Sequence, residues 1–77
     1  MLAEALILVI ADVGSMRNVF EEIESLPMMR EASMLAGFYD IMAIGESDKW
    51  SEIMDTLIEK IRSIEGVKET TTHIFIE

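Results

Sequence analysis

The residues best suited to binding chemistry lie near the middle of the chain, in the segment 35–41. Gly37 can adopt a positive φ and expose its backbone N–H and C=O groups to a ligand. Tyr39 adds a ring with a hydroxyl group, and Asp40 adds a carboxylate that suits an ammonium group. Further along the chain, Thr70–Thr72 add three hydroxyls. This mixture suits a small zwitterion, which needs a partner for each charge and apolar walls.

The same residues have a simpler structural explanation. A glycine followed by two aromatic residues and an acid, with apolar residues on both sides, is typical of a tight turn between two strands. Gly37 would then serve the turn alone, and Asp40 would only end it. The residues by themselves slightly favour this explanation over a binding site.

Catalysis has one candidate residue, His73, which is the only histidine of the chain. It could act as a base with Asp40 as its orienting partner, but no Ser-His-Asp set is visible. A lone histidine in a terminal strand is more typical of a surface or an interface. The histidine and cysteine pattern offers no metal site, and the absence of cysteine also excludes disulfides and cysteine catalysis. We therefore expect no enzyme, no metal and no cofactor.

The length and composition indicate a single domain that spans residues 1–77. A chain of 77 residues is in the size range where one core is only marginally sufficient. Apolar residues nevertheless make up 51% of the chain, beside 27% charged residues. This composition predicts apolar surface that a monomer cannot bury, and hence self-association.

The charge balance is strongly acidic, with fifteen acids against six bases and a formal net charge of −9. Such a field repels phosphate backbones, so we expect no direct contact with nucleic acid. The apolar run from Leu6 to Ala11 is far too short to span a bilayer, and no basic segment precedes it to form a signal peptide. We expect a cytoplasmic protein without membrane contact.

The first half of the chain has the pattern strand, helix, strand. Residues Ala3 to Ala11 are almost all apolar, which predicts a central strand covered on both faces. Ser15 is the predicted N-cap of the first helix. This helix ends before Pro27, and the mixed segment from Met28 to Ala36 predicts an edge strand. The apolar stripe of the helix consists of Met16, Val19, Phe20, Ile23 and Leu26.

The second half repeats this pattern. Residues Tyr39 to Ile44 predict a second central strand, and Gly45 to Asp48 predict a turn that caps the second helix. Gly66 suits the left-handed conformation after a helix end. Val67 to Ile76 predict the last strand, because its β-branched threonines favour that conformation. The apolar stripe of the second helix consists of Trp50, Ile53, Met54, Leu57, Ile58 and Ile61.

Together these elements give the order βαββαβ. Strands one and three are the most apolar, and strands two and four carry the polar residues, which an antiparallel sheet in the order 4-1-3-2 explains. We therefore predict an α+β, ferredoxin-like sandwich with both helices on one face of the sheet. The other face of the central strands is apolar too, so we expect the same face of a second subunit to cover it in a dimer.

Three segments, in order along the chain, carry a resemblance to a known family of proteins. They are Ala5–Val9 with Gly14, Gly37–Ile41, and Ile61–Val67 with Thr70–Thr72. They resemble the first strand and turn, the Gly-x-Tyr-Asp hairpin, and the helix end with the threonine-bearing last strand of one domain. This is the effector-binding (RAM) domain of the Lrp/AsnC (feast/famine) transcription regulators.

The resemblance implies a ferredoxin-like domain that dimerises by packing its sheets, and dimers that assemble into rings, typically octamers. It also implies amino acids bound where dimers meet. Carried over by motif, Gly37, Tyr39 and Asp40 would contact the backbone groups of the amino acid. Asp40 would be the ammonium partner, or it would instead stabilise the hairpin. Thr70 and Thr72 would approach from a neighbouring subunit.

Regulators of this family carry an N-terminal helix-turn-helix, whereas this sequence begins directly at the first predicted strand. We therefore expect a stand-alone amino-acid-binding and oligomerisation module that acts by co-assembly with a full-length Lrp/AsnC regulator. The negative net charge agrees with a protein that does not touch DNA. Two alternatives stay open. One is a purely structural assembly partner with a vestigial pocket, and the other is a small enzyme of the dimeric ferredoxin-like barrel type that uses His73.

Overall fold

The computed structural model describes residues 2–76, which form one four-stranded antiparallel sheet and two helices. The elements are β1 (Ala3–Ala11), α1 (Met16–Glu24), β2 (Met29–Met34), β3 (Ile41–Ser47), α2 (a π-helical part, Glu52–Leu57, followed by an α-helical part, Ile58–Arg62) and β4 (Val67–Ile74). The strands lie in the order β2-β3-β1-β4. The predicted order 4-1-3-2 and the ferredoxin-like arrangement are therefore confirmed.

Strand β1 lies at the centre of the fold, and its side chains alternate between two environments. Ile7 and Val9 are fully buried. They pack in the core against Val19 and Ile23 of α1 and Leu57 of α2. Full burial of a side chain of this size stabilises a fold by about 1.5–3 kcal/mol. The helices are therefore held on one face of the sheet by alternate residues of its central strands.

The remaining residues of the central strands lie on the opposite face, which no helix within residues 2–76 covers. In β1 the apolar residues of this face are Leu6, Leu8 and Ile10. Ile44 and Met42 of β3 pair with Leu6 and Leu8, so they share this face. All five side chains are only partly buried in the single chain. We call these five residues the open sheet face.

An ion pair borders the open sheet face at one end. Arg30 of β2 reaches past β3 and donates to the carboxylate of Glu4 on β1. The register between β2 and β3 shifts between Met29 and Glu31, which displaces Arg30 from regular pairing. Both side chains are partly exposed, so the pair adds little to stability. It gives the apolar surface a polar rim of the kind that protein interfaces have.

The predicted turn at Gly45–Asp48 is wrong for most of its length, because β3 continues through Ser47. Gly45 is buried within the strand, where an added Cβ atom would overlap the side chain of Leu57 on α2. The glycine therefore permits a close approach of helix and sheet. Ser47 still organises the entry to the helix, since its hydroxyl donates to Glu52 and accepts from the N–H of Lys49.

The second helix departs from its predicted apolar stripe at two positions. Trp50 and Met54 are 42% and 44% exposed. Met54 lies in the π-helical part of α2, which has more residues per turn than an α-helix, so a stripe drawn at α-helical spacing does not hold there. Trp50 lies just before this part, at the start of the helix. Within residues 2–76, neither helix is long and apolar enough to cross a bilayer. The other four predicted members are buried: Ile53, Leu57, Ile58 and Ile61.

Both edge strands are shorter than predicted. The second strand begins at Met29, because Met28 has a φ of 69° and cannot continue the extended conformation. It ends at Met34, and the last strand ends at Ile74. Tyr39 lies in the loop before β3 instead of in the strand. These shifts lengthen the loop that contains the predicted binding residues.

Gly66 has the predicted left-handed conformation after α2, with a φ of +101°. A Cβ atom at this position would lie 2.8 Å from the Cβ of Ser15 and 3.1 Å from a methyl group of Val19. The carbonyl of Gly66 also accepts a hydrogen bond from the N–H of Asp12 at 2.7 Å. The turn after α2 is thereby packed directly against the turn before α1.

We expect Gly66→Ala to lower the free energy of unfolding by roughly 2–4 kcal/mol, because it adds both backbone strain and an overlap. Gly14→Ala is the matched control. Gly14 also has a positive φ, but open space surrounds it, so the expected loss is only about 1–2 kcal/mol. Urea unfolding at one fixed protein concentration, followed by circular dichroism, measures both. Equal losses would contradict the packing argument.

Candidate functional site

The candidate site is the loop between β2 and β3, residues 35–40, which we call the hairpin loop. Its ends are joined because the N–H of Leu35 donates to the carbonyl of Asp40 at 2.8 Å. Gly37, near its centre, has a φ of +149°, a conformation that favours glycine. The N–H of Asp40 donates to the carbonyl of Val9 at 2.9 Å. The hairpin loop is therefore attached to the end of the central strand.

The Asp40 carboxylate adds a second attachment, since its Oδ2 accepts a hydrogen bond from the N–H of Ala11 at 2.8 Å. Regular pairing between β1 and β3 ends at Val9 and Ile41. The carboxylate thus supplies an acceptor for a backbone N–H that lies beyond the end of the ladder. A charged acceptor makes this bond stronger than one between neutral groups. Asp40 therefore has the bracing role that was one of its two predicted roles.

Two aromatic rings project from the hairpin loop. Phe38 is 82% exposed, whereas Tyr39 is half-buried. Their ring centroids lie 5.1 Å apart with an interplanar angle of 85°, an edge-to-face arrangement. The contact orients the Tyr39 ring, while Phe38 leaves most of a large apolar surface in solvent. The loop therefore presents an apolar wall beside the Asp40 carboxylate.

The predicted threonines lie on both faces of the edge strand β4. Thr70 and Thr72 pair with Val9 and Ile7, so they lie on the helix side of the sheet. Thr71 pairs with Leu8 and lies on the open sheet face side. The Thr70 hydroxyl accepts a hydrogen bond from Arg62 at 3.4 Å. Thr70 and Thr72 thus form a row of hydroxyls along one edge of the helix layer.

Within one chain, the hairpin loop and these threonines do not meet. Val9 pairs with Ile41 of β3 on one side and with Thr70 of β4 on the other. Neighbouring strands are about 4.8 Å apart, so roughly 10 Å separates Thr70 from the start of β3. The two groups share one end of the sheet but lie on opposite sides of β1.

His73 and Asp40 are not brought together either. His73 is exposed and pairs with Leu6, while Asp40 is attached to β1 at Val9 and Ala11. Three to five residues of strand separate these points, which corresponds to at least about 10 Å. Within residues 2–76, no group of three or more histidine, aspartate or glutamate side chains is placed to hold a metal ion. The site geometry offers polar recognition rather than a catalytic pair.

A family model for the Lrp/AsnC ligand binding domain matches residues 4–77. The chain belongs to this family. The match covers nearly the whole chain, so the resemblance noted in the sequence is confirmed. The family is described as a ligand-binding domain.

Several solved structures have a similar fold. FFRP-DM1 is 31% identical, with a TM-score of 0.89, and the match covers 96% of this chain and 99% of that one. E. coli AsnC is 24% identical with a TM-score of 0.87, covering 97% of this chain and 51% of that one. The transcriptional regulator NMB0573 from Neisseria meningitidis, solved as a complex with L-Met, is 18% identical with a TM-score of 0.73, covering 97% and 50%. A comparison with curated proteins found no significant match.

Two surface depressions of this Lrp/AsnC domain lie away from the hairpin loop. One of about 540 Å³ lies between the helices, where Glu22, Glu59 and Glu65 line it. The other, of about 350 Å³, lies at the β4 edge beside Arg62 and Thr70. Sequence reasoning did not connect these last two residues, because their contact depends on how α2 crosses β4. It also missed the Ala11 N–H, since a backbone donor leaves no signal in the sequence.

The bracing role of Asp40 can be separated from its charge by two substitutions. We expect Asp40→Ala to lower the free energy of unfolding by roughly 1–3 kcal/mol, because the Ala11 N–H loses its acceptor. Asp40→Asn retains an amide oxygen at the same place, so we expect a loss below about 1 kcal/mol. Urea unfolding of both variants tests this. A loss in Asp40→Asn as large as that in Asp40→Ala would show that the charge itself supports the fold.

Proposed function

We propose that this chain binds an amino acid at the hairpin loop and does so only in an assembly of several copies. The observation that carries the proposal is the match of residues 4–77 to a ligand-binding domain. The Neisseria regulator of the same fold, solved as a complex with L-Met, supports an amino acid as the ligand class. The hairpin loop adds the chemistry, since it combines a carboxylate, a hydroxyl and apolar rings on a braced support.

The proposed site has two walls from two subunits. Gly37, Tyr39 and Asp40 form the first wall, with the Asp40 carboxylate as partner of the ligand ammonium group. Thr70 and Thr72 form the second wall, from a neighbouring subunit. The ammonium and carboxylate groups of an amino acid are attached to the same carbon atom, so they lie too close together to bridge the roughly 10 Å between the two walls within one chain. This separation across β1 favours a site between copies.

The assembly begins with a dimer in which two open sheet faces pack together. Such an interface is isologous, because the same residues of each copy meet around a two-fold axis. Its five apolar side chains and its Glu4–Arg30 rim have the pattern of an apolar core with a polar border. Dimers then assemble further, into an octamer like those that the family resemblance implies. A full-length Lrp/AsnC regulator is the proposed partner for co-assembly.

The dimer predicts that a charge at the centre of the open sheet face will dissociate it. We expect the wild-type chain to be at least dimeric and Leu8→Glu to be monomeric, because dimerisation would bury two unpaired carboxylates. Met54→Glu is the matched control, since it adds the same charge at an exposed site on the helix side. Sedimentation velocity measures the three masses, and circular dichroism checks folding. A Leu8→Glu chain as large as wild type would contradict this interface.

The ligand proposal predicts a loss of affinity when the Asp40 charge is removed. We expect at least one of the twenty standard L-amino acids to bind the wild-type chain in titration calorimetry. Asp40→Asn should weaken that binding by at least about tenfold, because a charge-assisted bond to the ammonium group is lost while the brace is kept. Asp55→Asn, on the exposed surface of α2, controls for the net charge. Unchanged affinity in Asp40→Asn would remove Asp40 from the site.

A second candidate is a structural assembly partner with a vestigial pocket. One observation favours it: the Asp40 carboxylate already accepts a bond from Ala11, which accounts for the residue without any ligand. This candidate also forms mixed oligomers with a full-length regulator, but amino acids leave their size and stability unchanged. Light scattering of the mixture with and without each amino acid distinguishes the two functions. A ligand-dependent change in mass supports the binding module.

A further inference from the structure

The depression of about 350 Å³ at the β4 edge contains a set of groups suited to a carboxylate. Arg62 from the last turn of α2 lines it, together with Val67, Lys68, Glu69 and Thr70 of β4. A guanidinium, an ammonium and a hydroxyl group thus line one small surface region, together with the single carboxylate of Glu69. Lys68 is the extra residue where the pairing of β4 with β1 shifts register, so it is displaced from the regular ladder.

The contact with Thr70 orients the Arg62 side chain and uses one of its N–H donors. Its Nε donates to the Thr70 hydroxyl at 3.4 Å, near the upper limit for a hydrogen bond. Among residues 2–76, the ion pair of the chain joins Arg30 to Glu4, and Arg62 is not paired with a carboxylate. A guanidinium has five N–H donors, and the others keep their capacity to bind. The Thr70 contact holds the side chain toward the second wall of the proposed site.

The charge distribution makes this location unusual in the molecule. The chain has a net charge of −9, so most of its surface repels a carboxylate. Two of its six bases nevertheless line this one depression, against one acid, Glu69. The larger depression between the helices has the opposite character, since three glutamates and one lysine line it. The β4 edge is therefore the better place for an anionic group.

We propose that Arg62 binds the α-carboxylate of the amino acid, with Thr70 holding the guanidinium in position. This inference rests on the proposed function and adds the second charged partner that a zwitterion needs. Asp40 of one subunit then holds the ammonium group, and Arg62 of the neighbouring subunit holds the carboxylate. Arginine suits this role better than Lys68, because its planar fork matches a carboxylate through two parallel hydrogen bonds.

The test compares amino acids with their amides on three forms of the protein. The probes are the twenty standard L-amino acids and the α-carboxamide of each one that binds the wild-type chain in titration calorimetry. We expect Arg62→Gln to weaken binding of the amino acid by about tenfold to a hundredfold. We also expect wild type to prefer the acid over the amide, and Arg62→Gln to lose that preference. A merely structural role of Arg62 would weaken both probes equally.

Lys60→Gln is the matched control, because it removes one positive charge from the same helix but lines the other depression. We expect it to bind like wild type. Circular dichroism checks that Arg62→Gln is folded, and Arg62→Lys, which keeps the charge, should retain part of the acid preference. If an amino acid binds wild type but Arg62→Gln matches Lys60→Gln, only the Arg62 assignment is overturned. If no amino acid binds wild type, the proposed function itself fails and the assignment with it.

Discussion

Two helices cover only one face of a four-stranded sheet whose central strands are apolar on both faces. Ile7 and Val9 are buried beneath the helices, while Leu6 and Leu8 between them are left partly exposed. Since apolar surface is most stable away from water, the open sheet face favours a second copy as its cover. The proposed dimer thus rests on the alternation of side chains along β1, and the polar rim at Glu4 limits how far the apolar surface extends.

The hairpin loop depends on the same strand. One backbone hydrogen bond from Asp40 to Val9, and one from Ala11 to the Asp40 carboxylate, attach the loop where the pairing of β1 with β3 ends. Groups on such a braced loop are presented to a ligand with little loss of conformational freedom on binding. Thr70 and Thr72 lie on the other side of β1, so the two walls of the proposed site are apart within a single chain. The proposed binding therefore depends on the proposed assembly through the open sheet face.

Two failures of sequence reasoning concern α2 and its packing on the sheet. Gly45 looks like a turn residue, but its missing side chain makes room for Leu57. Met54 looks like a core residue, but the π-helical part of α2 changes the spacing and leaves it partly exposed. In the first case the packing of α2 on β3 overrode the local pattern, and in the second the conformation of α2 did.

The sequence by itself determined the order of elements, the central position of β1 and β3, the uncovered apolar face and the turn within segment 35–40. These follow from hydrophobic period and from turn residues, which act over a few neighbouring positions. The tertiary structure alone decided that Asp40 bonds to Ala11, that Arg62 touches Thr70, and that the hairpin loop and the threonines lie on opposite sides of β1. Such contacts join residues far apart in the chain, and they depend on strand register and helix packing, which no local pattern encodes.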